Sequence, residues 1–215
     1  MLFRSATGCT LVDTEARVST VAEFKDAIAN AKAGDKIILD ADLVIDETIV
    51  IDKNITLDLN GKTISNTQDL WSDVNWSLIS ITSGAEVTLD GDGKLIAKEN
   101  DCYGIDVQDG SKLTVNSGYI NGNISAIYAY EGTVTINGGK FEIQQLADGF
   151  KNPYSFMLNC YDSAFAEGKA KITVYGGEFV NFDPANSDSG EGNLLAEGCV
   201  STANEDGTIY TVTKA

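Results

Sequence analysis

Val134-Thr135-Ile136-Asn137-Gly138-Gly139-Lys140-Phe141 carries the pattern on which the fold turns: apolar, threonine, apolar, polar, a glycine turn, then an apolar residue coming back in. Ile55-Thr56-Leu57-Asp58, Val87-Thr88-Leu89-Asp90, Leu113-Thr114-Val115-Asn116 and Ile172-Thr173-Val174-Tyr175 repeat it. Glycines follow at nearly constant offset (Gly61, Gly93, Gly118, Gly139, Gly177), and the returning residues are read as Ile64, Ile96, Ile120, Phe141 and Phe179. Alternation along a strand sends the two apolar residues to one face and the threonine to the other. Such self-similarity marks a repeat architecture, in which no unit buries its apolar face alone.

The five threonines are separated by 32, 26, 21 and 38 residues, so the unit is about the two dozen residues that one three-sided coil requires. A second strand precedes the threonine strand across another glycine, as in Leu78 to Ile81 before Gly84, Ile105 to Val107 before Gly110, and Ile127 to Tyr130 before Gly132. The expected fold is all-β, a single-stranded right-handed parallel β-helix of about six to seven coils with an N-terminal capping α-helix. An antiparallel sandwich would instead place strands about every 8 to 12 residues without a constant coil unit.

From Thr20 the period becomes helical. Val21, Phe24, Ile28 and Ala31 fall on one face, Thr20 to Glu23 fits a capping box, and Gly34 is expected to end the helix. The helix is read as a lid on the open N-terminal tip of the core, which a stack of coils leaves exposed. The domain is therefore expected over residues 19–215, with the capping helix at 19–34, coils at 35–182 and a closing segment at 183–215. Residues 1–18 are expected to be an extension, disordered or non-native. The apolar part of Met1 to Thr10 is too short for a signal peptide, and Leu2-Phe3-Arg4-Ser5 is what a common sequencing adapter encodes when translated.

The chain of 215 residues is 43% hydrophobic, enough for a continuous core in one elongated domain. Its 32 acidic and 15 basic side chains give a net charge of −17, which repels phosphate backbones and anionic lipids. Nucleic acid and membrane are expected to be poor partners. No apolar run is long enough to cross a bilayer. Cys9, Cys102, Cys160 and Cys199 lie far apart with no histidine in the chain, which favours free thiols over a zinc site or disulfide framework.

Gly34-Asp35-Lys36-Ile37-Ile38-Leu39 after the helix, with Ile55-Thr56-Leu57-Asp58-Leu59-Asn60-Gly61, resembles the start of the pectate-lyase-like superfamily of right-handed β-helices. The closing pattern Gly176-Gly177-Glu178-Phe179, Phe182-Asp183-Pro184 and Asp206-Gly207-Thr208-Ile209-Tyr210 is similar to the last rung of β-helix proteins of gut Bacteroidales and their bacteriophages. The resemblance spans about residues 19 to 215 and is fold-level. Its members include polysaccharide lyases, glycoside hydrolases, phage tailspikes and noncatalytic surface proteins. It implies an extracellular, cell-surface or virion setting. A homotrimer would suit a phage fibre, although no heptad stalk specifies one.

Lyases of that superfamily use calcium and a basic side chain, typically arginine, to remove a proton beside a uronate carboxylate. Here the arginines are Arg4 and Arg17, both before the first coil, which leaves only lysines such as Lys112 and Lys171 on the rungs. Its hydrolases carry clustered aspartates with a histidine, and this chain has none. Asp90 with Asp92, or Asp106 with Asp109, are candidate carboxylate pairs, but both sit in glycine-containing turns where Asp is common for conformational reasons. A calcium site at Asp90 to Gly93 lacks the full set of oxygen ligands. The expected function is thus noncatalytic, structural or binding, without cofactor or metal, and the alternative is a polysaccharide lyase or glycoside hydrolase.

The outward row of Thr56, Thr88, Thr114, Thr135 and Thr173 resembles an ice-binding array in one respect, but its neighbours are Asp58, Asp90, Asn116, Asn137 and Tyr175 rather than a second row of threonines. Tyrosine combines apolar area with a polar tip, so a platform for a glycan or a protein partner is expected from the tyrosines of the preceding strand and its loops. The enlarged coils carry insertions at Asn66 to Ser77 and Gln144 to Ser155, and insertions in repeat proteins leave from corners and often build the interaction face. Trp71, Trp76, Phe150 and Tyr154 lie there. The expected binding set is Tyr103, Asp106, Tyr128, Tyr130, Tyr154, Tyr161, Trp71 and Trp76.

Overall fold

The structure, a computed structural model, describes residues 14–71, 76–99, 102–146, 148–149, 151–187 and 191–215. Cys9, Arg4 and Phe150 lie outside the described residues. Strands form where apolar and polar residues alternate, and among the described residues they make three sheets. The first holds β1 (Glu15–Val18), β2 (Asp35–Leu39), β5 (Ile55–Asp58), β8 (Glu86–Asp90), β11 (Lys112–Val115), β14 (Thr133–Ile136) and β17 (Lys171–Val174), all parallel. The second runs parallel through β3 (Leu43–Ile45), β6 (Thr63–Asn66), β9 (Lys94–Ile96), β12 (Tyr119–Gly122), β15 (Lys140–Ile143) and β18 (Gly177–Val180). It is closed by β20 (Ile209–Lys214) and β19 (Cys199–Ala203), both antiparallel to their neighbours. The third is β4 (Ile49–Ile51), β7 (Ser77–Ile81), β10 (Tyr103–Val107), β13 (Ile127–Ala129) and β16 (Leu158–Cys160), all parallel.

From β2 to β18 the chain visits the first, second and third sheets in turn, so every third strand returns to the same sheet. The described residues contain five complete circuits, from β2–β4 to β14–β16, with β1 before them and β17–β18 after. The five threonines are register partners across β5, β8, β11, β14 and β17. On either side of that row run buried ladders, Ile55-Val87-Leu113-Val134-Ile172 and Leu57-Leu89-Val115-Ile136-Val174. The third sheet contributes Ile49-Ile79-Ile105-Ile127-Leu158 and Ile51-Ile81-Val107-Ala129-Cys160. Cys160 therefore occupies a core position, and burial pushes its thiol up to about 12. In the second sheet the ladder ends on Phe141 and Phe179, whose rings stack 5.0 Å apart at 9°.

Helix α1 (Val21–Asn30) packs Phe24 and Ile28 into the core beside β1, β2 and β3. The Thr20 hydroxyl accepts from the Glu23 N–H at 3.2 Å, and the Glu23 carboxylate accepts from the Ser19 N–H at 2.8 Å. The helix stops at Asn30, before Gly34. Gly34, at φ +95°, instead shapes the turn into β2 and donates its N–H to the Asn54 carbonyl of the next rung.

Two further sequence readings need correction. Glu15–Val18, placed in the extension, is strand β1, because residues 15–18 pair in register with Lys36 to Leu39. The returning apolar residue after Gly93 is Leu95 rather than Ile96. Leu95 is fully buried between Ile64 and Ile120, while Ile96 shares an outward row with Ser65 and Asn121. A short second helix, α2 (Asp162–Ala166), leaves between β16 and β17 and had no signal in the coil pattern.

At Gly104, β10 and the next rung come close. A Cβ there would stand 2.5 Å from both the Ala126 carbonyl oxygen and Ile120 Cγ2. Gly104→Ala is expected to lower the unfolding free energy by about 1–3 kcal/mol through overpacking, measured by urea denaturation. An unchanged midpoint would show that the rungs yield at that point.

Candidate functional site

The third sheet carries most of the predicted binding residues, and its register determines how they meet. Its middle outward row is Val50, Ser80, Asp106, Tyr128 and Asn159. One residue beyond the ends of β13 and β16 stand Tyr130 and Tyr161, whose N–H groups donate to the carbonyls of Val107 and Ala129 on the preceding rungs. Their rings stack at 4.8 Å and 22°, the distance that neighbouring strands impose.

Trp71 and Trp76, from the connection between β6 and β7, join these tyrosines. Trp71 meets Tyr103 edge-on at 5.3 Å, and Trp76 lies 6.1 Å from Tyr128 and 5.1 Å from Tyr130. Tyr128 links the two halves, at 5.6 Å from Tyr103 and 6.2 Å from Tyr130. Six of the eight predicted residues thus form one row of rings, each contact contributing about 0.5–1.5 kcal/mol beyond area burial. At the ends of the row Trp71 is 52% and Tyr161 39% exposed, and the four rings between are half-buried.

Both insertions leave from the same corner, between the second and third sheets, at β6 to β7 and at β15 to β16. The first supplies both tryptophans. In the second, Tyr154 is partly buried against the core and its N–H donates to the Asn152 side chain at 3.0 Å, and among the described residues no ring contact joins it to the row.

Asp106 also departs from expectation. It is fully buried and accepts hydrogen bonds from Ser77, from Ser80 at 2.9 Å and from Gln108 at 2.5 Å. It therefore cannot touch a ligand on the outer surface, and it ties β7 to β10 beside Tyr128, its register partner. The serines had escaped notice, yet a signal existed. Ser80 and Asp106 are 26 residues apart, the same spacing as Thr88 and Thr114, which places them on adjacent rungs.

The catalytic candidates separate. Asp90 serves its own turn, accepting from the Gly91 N–H at 2.9 Å and the Ser117 hydroxyl at 3.0 Å. Asp109 sits at φ +52° in a corner and accepts from Thr82, so the pair Asp106 and Asp109 has one member buried and the other exposed at a turn. Arg17 is paired with Asp40 at 2.5 Å and Lys112 with Glu86 at 2.7 Å. Among the described residues no three His, Cys, Asp or Glu side chains are grouped to hold a metal ion, and Cys102, Cys160 and Cys199 are free thiols. No described helix is long and apolar enough to cross a membrane.

Burial lifts the Asp106 carboxyl above its ordinary 3.8, and the bonds from Ser77, Gln108 and Ser80 counter this only in part. Such a group keeps its proton in the fold at pH values where the unfolded chain has lost it. Its contribution to stability is therefore full in acid and is lost as pH rises from about 3.8 through the folded value. Asp106→Asn is expected to remove this slope, so that wild type loses stability relative to the variant as pH rises. Urea titrations of both proteins across pH measure it, and parallel curves would exonerate Asp106.

No family model, no curated protein and no solved structure matches the chain, so its function is read from this geometry.

Proposed function

We propose that the chain is a right-handed parallel β-helix of the pectate-lyase-like type, acting without catalysis as a binding module on a virion or cell surface, with the aromatic row as its contact for a glycan or protein partner. The row carries this reading: six rings from three rungs and one insertion meet across the third sheet, with Trp71 and Tyr161 exposed at its ends. Exposed aromatic area on that scale is costly unless something covers it. The return of every third strand to the same sheet supports a coil. Its right hand follows from the preference of parallel crossovers, about 98% of which are right-handed. The likeness of the closing segment to β-helix proteins of gut Bacteroidales and their phages supports the setting.

The rival enzyme needs a carboxylate or basic cluster at one level of adjacent rungs. Of the carboxylates considered for it, Asp90 is engaged in its own turn, Asp106 is buried, and Asp109 is held by Thr82 at a corner. Incubation with a panel of acidic and neutral glycans is expected to leave every chain uncut by size-exclusion chromatography. Release of shorter products would overturn the noncatalytic reading.

A further inference from the structure

We infer that the outer edge of β19, at the C-terminal tip of the second sheet, is a docking strand for an extended basic peptide of another protein, a contact separate from the aromatic row.

The three sheets end differently at this tip. The first continues past β17, because the Val174 N–H donates to the Leu194 carbonyl and the Ala196 N–H donates to the Val174 carbonyl, which bridges Leu195 to the strand. The edge of β16, last in the third sheet, is met by a side chain, the Glu191 carboxylate accepting from the Cys160 N–H at 2.7 Å. The second sheet ends on β19, and among the described residues no strand pairs with its outer side.

The register shows which backbone groups that leaves. Cys199 to Ala203 lie opposite Lys214 to Tyr210. At the two ends of the ladder the Gly198 carbonyl accepts from the Ala215 N–H and the Asn204 N–H donates to the Ile209 carbonyl. Bonded and non-bonded pairs alternate along an antiparallel ladder. Val200 and Thr202 therefore turn their peptide groups to β20, and Ser201 and Ala203 turn theirs outward. The Cys199 N–H is taken by the Ala196 carbonyl, but its own carbonyl joins the outward row. Such a row of alternating donors and acceptors is what an added strand pairs with. Proteins guard edges with proline, lysine or inward charges, and Cys199-Val200-Ser201-Thr202-Ala203 has none of them.

Charge selects the occupant. Glu197 stands before the strand, Glu205 and Asp206 after it, and all three are exposed. Carboxylates thus flank both ends of an edge about 17 Å long, at a rise of about 3.4 Å per residue. Among the described residues none of the three is in an ion pair, and Lys214 is the single cation of the β19–β20 hairpin. A second copy fits poorly: two β19 edges paired antiparallel about Ser201 would bring Glu197 of each chain toward Glu205 of the other, between molecules that each carry −17. An extended segment with lysine or arginine beyond both ends satisfies the backbone row and the flanking acids together. Main-chain pairing then supplies the affinity and the flanking charge the choice of partner.

Fluorescence anisotropy of the labelled peptide acetyl-KRTVTVTRK-amide with the full chain tests this. The peptide is expected to bind, whereas its acidic counterpart acetyl-EDTVTVTDE-amide should not. Raising the ionic strength from about 0.01 to about 0.5 M should weaken binding at least about tenfold. Ser201→Pro removes an outward N–H and no bond to β20, a place where an edge strand accepts proline, and should abolish binding. The same peptide N-methylated at its valines, or at its threonines, tests the pairing from the ligand's side without a protein variant, and one of the two should fail to bind. Glu197→Gln, Glu205→Gln and Asp206→Asn together should weaken binding about tenfold at low salt. Equal binding of the acidic peptide, binding indifferent to Ser201→Pro and to both N-methylations, or no binding of the basic peptide overturns the inference. Self-association in sedimentation equilibrium that Ser201→Pro abolishes, with no peptide taken up, assigns the edge to a second copy and overturns it equally.

Discussion

The in-register stacking of parallel rungs is the constraint from which the rest of the molecule follows. A strand shows its side chains alternately to the two faces, so a slip of one residue would turn Thr56, Thr88, Thr114, Thr135 and Thr173 inward and their apolar flanks outward. Ten apolar residues in two unbroken ladders beside that row make such a slip prohibitive. Each rung is then a template for the next, and the weak sequence preference of a single four-residue strand is enough. The same rule extends across the third sheet, where even Cys160 is read as a core residue once its ladder of Ile51, Ile81, Val107 and Ala129 is seen.

Fixed strands concentrate freedom at the corners. The corner between the second and third sheets accepts both long insertions, and the one after the third sheet accepts α2. Neither disturbs the ladders, because an added loop costs little entropy once its two ends are held by neighbouring rungs. The aromatic row is a product of both kinds of structure. Tyr130 and Tyr161 stack because the rungs set their spacing, whereas Trp71 and Trp76 reach the row from a loop.

That division explains what could be read in the amino-acid sequence. The threonine repeat and its flanking residues were legible because every rung pays the same steric toll, and the repeat recurs in five places. The six clustered aromatics were legible as a set because they occupy one strand of the repeat and one insertion. Ile96 was taken for Leu95 because glycine-to-core spacing varies, three residues from Gly61 to Ile64 but two from Gly93 to Leu95. Strand β1 was missed because Glu15-Ala16-Arg17-Val18 lacks the threonine pattern and owes its conformation to pairing with β2. Tyr154 and Asp106 differ for another reason: residue type shows what a side chain can do, and only the fold shows whether its neighbours cover it.

Asp106 is the point where rung stacking and the surface row meet. A buried carboxylate without a cation works against folding, since burial disfavours its charged form. Three neutral donors hold it instead, two of them from β7, so it links adjacent rungs through side chains as well as through the backbone ladder. Tyr128 is its register partner on the other side. The rung that carries the centre of the aromatic row thus rests on a rung fixed by a polar network. Polar networks of this kind are directional where apolar ladders are not, and they limit the small sliding motions that packed aliphatic side chains permit. The arrangement places this network in the same outward row as Tyr128, beside the aromatic surface.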